Sequence, residues 1–266
     1  MFYKSIILSI KNKTLVVSLK NIFNDAGCIT QFTARFFKEV FKPPYEIKEF
    51  LRQCYIIGYK SLPLVGITGF IMGLVLTLQS RPTLAEFGAE SWLPGMVALS
   101  LIREIAPVIT GLICAGKISS GIGAELGSMK VTEQIDAMEV SGIDPYKYLV
   151  ITRILATTLM VPLLVVFADG VGVLGGYAGI NINSDVNLFN YFSKVLESLD
   201  FIDIIPATIK TFFFGFFIGM IGCYKGYTTA SGTESVGKAA NSAVVAASLT
   251  IFVIDMLAVQ LTDLFF

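Results

Sequence analysis

The chain has no histidine, a single tryptophan and only 15% charged residues across 266 positions. Without histidine it lacks the commonest general base, the Ser-His and Cys-His nucleophile pairs, and every His-containing metal site. An ordinary soluble domain carries roughly a quarter charged residues, so the shortage of charge argues against one. The four cysteines, Cys28, Cys54, Cys114 and Cys223, lie far apart with no C-x-x-C or zinc spacing, and they read as small apolar packing residues. No metal site is expected. The run Ser5–Ile10 is too short for the core of a signal peptide and no small-residue cleavage site follows it.

Apolar residues make up 54% of the chain and the mean hydropathy is +0.72. They occur in long unbroken runs, not in the ten-residue alternating segments of a membrane barrel. The fold class is therefore an all-α polytopic membrane protein. Five runs approach the roughly 20 residues needed to cross a bilayer: 54–80, 93–117, 149–180, 204–224 and 243–264. The third is overlong, and its glycine-rich tail Gly170–Ile180 is expected to break or tilt. Residues 1–53 mix apolar patches with Lys and Arg, and Pro43-Pro44 interrupts any helix there; they read as amphipathic segments lying on the membrane, ahead of a transmembrane domain at 54–266.

The net charge is zero but unevenly spread: residues 1–60 carry ten Lys and Arg against Asp25, Glu39, Glu46 and Glu49. This basic start is interleaved with Phe, Ile, Val and Leu, which suits anionic headgroups better than nucleic acid. The loops 118–148 and 225–242 hold Lys130, Lys147, Lys225 and Lys238. The loops 81–92 and 181–203 are acidic apart from Arg81 and Lys194. The positive-inside rule then places the N-terminus and the first pair of loops in the cytoplasm. Within the spans, glycines recur four apart at 69 and 73, 172 and 176, 175 and 179, and 215 and 219, a spacing that lets helices approach closely.

Four features carry chemistry. Gly111-Leu-Ile-Cys-Ala-Gly116-Lys117 approaches a nucleotide-binding P-loop, but Ile118 stands where Ser or Thr would ligate magnesium and no strand precedes it, so the chain holds no ATP site there. Arg103 and Glu104 fall inside the second span, where each costs about 2.5–3.5 kcal/mol on insertion scales unless it faces protein, water or a polar ligand. Both a cavity-lining role and an inter-helix salt bridge, to Asp169 or Asp255, fit them, and Pro107 is expected to kink the helix one turn later. Gln79 is a weaker cavity candidate, and Asp255 is an ionisable group midway along the fifth span.

The fourth feature is the block 121–145, which places Glu125, Glu133, Asp136, Glu139 and Asp144 between two apolar runs. Ile122, Leu126 and Met129 form one helical stripe and Val131, Ile135 and Met138 another, and the two-residue slip between them rotates the apolar face by about 200°. One straight helix cannot bury both. A break near Lys130 is expected, then a short helix over 132–141 with Thr132 as N-cap, stopped by Gly142 and Asp144-Pro145. Its acids favour a protein partner over an anionic leaflet.

Arg103-Glu-Ile-Ala-Pro-Val, Ala124-Glu-Leu-Gly-Ser-Met-Lys-Val-Thr-Glu-Gln-Ile-Asp-Ala-Met and Gly142-Ile-Asp-Pro-Tyr-Lys-Tyr-Leu resemble the MlaE/YrbE-type permeases, as do Gln79 with Phe87-Gly88, Gly232-Thr-Glu-Ser-Val-Gly and Ala243-Val-Val. The resemblance spans roughly 45–264. One departure is Thr152, where the family often has proline before the arginine at 153. It implies a non-catalytic subunit of an ABC lipid transporter in a bacterial inner membrane, working as a homodimer with two ATPase subunits and an MCE-domain lipid-binding protein. ATP and magnesium would then be used by the partner, and phospholipid would move between inner and outer membranes. The resemblance further implies a coupling region at Glu125, Met129, Glu133, Gln134, Asp136 and Met138, and a lipid cavity near Gln79, Arg103 and Glu104. An ion-coupled transporter using Glu104 and Asp255 and a non-transporting membrane anchor are the alternatives; an intramembrane enzyme is disfavoured without histidine.

Overall fold

The structure, a computed structural model, describes residues 27–182 and 184–265. The expected amphipathic character of 1–26 lies outside the described residues. The chain divides into a short N-terminal unit and a larger one, Glu46–Phe266. In the first, α1 (27–39) leaves Phe37 exposed, with Phe41 and Tyr45 following at the same four-residue interval.

The larger unit is entirely helical among the described residues. α2 (Ile47–Ile57) and a single 3-10 turn lead into α3 (Leu62–Glu86); α4 (Leu93–Ser100), α5 (Ala106–Cys114) and α6 (Ser120–Val131) follow end to end. Then come the short α7 (Gln134–Val140), the long α8 (Thr152–Asn181), α9 (Leu188–Glu197), α10 (Phe201–Tyr227) and α11 (Thr233–Phe265). Five continuous helical stretches are long and apolar enough to cross a membrane: Ile47–Glu86, Glu90–Val131, Tyr146–Asn181, Phe201–Tyr227 and Thr233–Thr262. The compact unit opens at Glu46 and not at 54, because α2 packs along α8.

The glycine spacing sets the packing. A side chain on Gly73 would land on the carbonyl of Gly172, and one on Gly175 on the carbonyl of Phe70, so α3 and α8 meet backbone to backbone. α8 therefore runs unbroken to Asn181. The break expected in Gly170–Ile180 does not occur, because the facing helix supplies the packing that a glycine-rich stretch lacks by itself. The outer face of α3 stays apolar and exposed at Leu64, Ile67, Ile71, Val75 and Leu78, as a lipid-facing stripe requires.

Three single turns widen to π-geometry, at Leu101–Ile105, Ala115–Ser119 and Tyr146–Ile151. The first precedes Pro107, which sits at the start of α5. Ala106 N–H donates back to Leu101 O, so the wider turn absorbs the missing proline donor within a continuous helix.

Candidate functional site

Ionisable side chains from three spans meet at one place. α10 carries Lys210, buried to 4% side-chain exposure, whose Nζ lies 2.8 Å from Glu104 Oε2 and 2.9 Å from Asp255 Oδ1. Three spans thus contribute one charge each: Glu104 from the π-turn, Lys210 from α10 and Asp255 from α11. A lone ammonium in a bilayer interior is costly, and two carboxylates supply the compensation that water cannot. Beside them Arg103 Nη1 lies 3.6 Å from Asp203 Oδ1. Asp203 also closes a capping box at the start of α10, where Asp200 N–H donates to its Oδ2 at 3.2 Å.

The expected partners for Arg103 and Glu104 were Asp169 or Asp255. Arg103 instead meets Asp203, and Glu104 shares Lys210 with Asp255, since two carboxylates need a cation between them. Lys210 is the residue that sequence reasoning missed. Its signal, one lysine in the apolar run from Ile204 to Tyr224, was the same kind that marked Arg103. Gln79 is exposed on α3 and does not line this cluster.

The charged cluster opens into a small pocket lined by Arg103, Glu104, Asp203, Lys210 and Thr262. Alongside runs a groove of about 950 Å³ between α10 and α11, walled by Phe201, Ile205, Ile209, Phe213, Leu257 and Leu261. The two share Ile202, Pro206, Lys210, Ala258 and Thr262. A polar end and a long apolar trough in continuity fit a molecule with a charged head and aliphatic chains.

The second candidate region is α7. It begins after Glu133, whose φ is 57°, a left-handed conformation. The break therefore falls at Thr132–Glu133, slightly beyond Lys130. Thr132 is not the N-cap: its hydroxyl donates back to Ser128 O and closes α6. Gly142 does end the helix, with φ at +78°: its N–H donates to Glu139 O while Ile143 N–H donates to Met138 O, a Schellman closure. Ile135 is buried and Met138 half-buried, while Glu133, Gln134, Asp136 and Glu139 face outward and Val140 is 91% exposed. Asp136 is bridged to Lys130 at 2.8 Å. Glu125 and the half-buried Met129 sit upstream on α6; Glu125 pairs at 2.8 Å with the buried Arg153.

At the opposite end of the bundle, Tyr191 on α9 is buried and donates to Val173 O at 3.0 Å; burial pushes its phenol up to about 12. Asn187 caps α9 by accepting from Phe189 N–H.

A five-span helical bundle with ionisable groups gathered beside an apolar groove, and an acidic helix outside it, defines a multi-pass membrane protein of the permease class. The chain matches the family described as Permease MlaE over residues 50–261. It is 40% identical over 240 residues to a probable ABC transporter permease protein of Rickettsia prowazekii, covering 90% of this chain and 92% of that one. It is 34% identical over 221 residues to a probable ABC transporter permease protein of Synechocystis, covering 83% and 84%. Against the intermembrane phospholipid transport system permease protein MlaE of Haemophilus influenzae it is 33% identical over 209 residues, covering 78% and 80%. The chain belongs to the MlaE permease family.

Proposed function

We propose that this chain is the membrane-embedded, non-catalytic subunit of an ATP-driven transporter that moves phospholipid or a related lipid between two membranes. The observation that carries the reading is the continuity of the charged pocket with the apolar groove: headgroup at Arg103, Glu104, Asp203 and Lys210, acyl chains along α10 and α11. The Haemophilus relative's name, an intermembrane phospholipid transport permease, supports the same cargo. A proton relay through Glu104 and Asp255 fits less well, because both carboxylates are held on the Lys210 ammonium.

Energy enters through a partner, since the near-P-loop at Gly111–Lys117 has Ile118 in place of the magnesium ligand. The exposed acids and Val140 of α7 are the contact for an ABC ATPase that supplies ATP and magnesium. The lysine distribution supports a cytoplasmic α7 and N-terminus, and the bacterial relatives support an inner membrane. Two copies of the chain rock against each other about their interface, and an MCE-domain protein exchanges lipid with them on the far side.

The cargo is tested by mass spectrometry of lipid co-purified with the intact complex. Ile209→Trp, which fills the groove, is expected to reduce bound phospholipid several-fold while leaving the complex monodisperse. Unchanged lipid content would place the acyl chains elsewhere.

A further inference from the structure

Arg153 is buried to 2% side-chain exposure at the start of α8, two residues past the π-turn Tyr146–Ile151. A guanidinium there must find acceptors for its five N–H groups. Nη2 lies 2.8 Å from Glu125 Oε1 on α6, Nη1 donates to Leu149 O inside the π-turn at 2.9 Å, and buried Nε has no partner. With Glu125 half exposed and the Arg153 Nε unpaired, the ion pair by itself is poor evidence for stability. Its position explains it better.

α6 and α8 are the two legs of the hairpin that carries α7. On the first leg, Lys130–Asp136 and the buried Ile135 fix α7 to the end of α6. On the second, the turn after Gly142 is tied down by Asp144, whose Oδ1 accepts from Tyr146 N–H at 3.0 Å in the π-turn. Each leg packs separately on α10, with Gly226 against Gly123 and Gly219 against Ile154. Glu125–Arg153 reaches directly from one leg to the other.

We propose that this pair is a clasp that makes Arg153 a positioning residue, passing movement of α7 into the third span; this rests on the ATPase-driven reading above. With the clasp closed, a push on α7 moves Glu125 and the Leu149 carbonyl together. With it open, the same push is lost in the 141–145 turn.

The test uses the full complex with its ATPase in nanodiscs. Amide hydrogen exchange is followed at 134–140 and 146–157 with and without ATP plus vanadate, together with lipid transferred per ATP hydrolysed. In Glu125→Gln, whose position at the solvent-facing end favours normal folding, the nucleotide response at 146–157 is expected to fall about tenfold. The response at 134–140 persists, and lipid per ATP falls in parallel. Arg153→Lys, which keeps charge toward Glu125 without the Leu149 bond, gives an intermediate loss. A wild-type response at 146–157 in Glu125→Gln, even with a lowered melting temperature, overturns the clasp and leaves a merely structural pair. If the wild-type complex shows the exchange response yet transfers no lipid, the clasp stands and the cargo reading fails.

Discussion

Lys210 holds two carboxylates from two other spans, and its removal leaves the mostly buried Asp255 and the half-exposed Glu104 without their cation. Lys210→Met is expected to cost about 3 kcal/mol, read from denaturation in mixed micelles. Glu104→Gln or Asp255→Asn leaves the other carboxylate in place and costs less. Arg103 and Asp203 are a different case: the pair is long, and Arg103 is nearly half exposed. Arg103→Ala is expected to cost less than about 1 kcal/mol of stability. A large loss of lipid transfer in that variant, with an unchanged melting curve, would mark Arg103 as a cargo contact. Arg103, Glu104 and Asp255 were legible in the sequence because an ionisable side chain in an apolar run has few innocent explanations. Which of them pair was not legible, since their distances depend on how three helices are rotated.

The packing of α3 on α8 depends on helix faces with no side chain between them. Gly73→Leu would push a side chain into the carbonyl of Gly172 and is expected to cost about 2 kcal/mol or more, measured in the same micelles. Glycines such as Gly116 and Gly121, where an added side-chain carbon meets nothing within 4 Å, are expected to tolerate Ala. For α7, charge reversal at both Glu133 and Asp136 to Lys is expected to release the ATPase while leaving membrane insertion intact. Normal ATPase co-purification and normal lipid transfer would remove α7 from the docking surface. The phase slip of the apolar stripe located this helix to within a few residues. Its cap was misread because the Thr132 hydroxyl had two local options, accepting from an N–H of α7 or donating to Ser128 O, and it took the second while Glu133 took the left-handed turn.

For the assembled transporter, lipid transfer in proteoliposomes is expected to stop when the partner ATPase is omitted and to survive collapse of the proton gradient. The opposite pattern would favour an ion-coupled mechanism through Glu104 and Asp255. The sequence by itself determined the membrane class, the number of spans and the separate acidic helix. Each of these follows from local composition and period, which a bilayer reads almost residue by residue. The tertiary structure alone decided that α8 stays unbroken through its glycines, that Lys210 gathers Glu104 and Asp255, and that Arg153 joins the two legs of the α7 hairpin. Those outcomes depend on which faces of distant helices meet, and a helix's own residues do not specify the rotation of its neighbours.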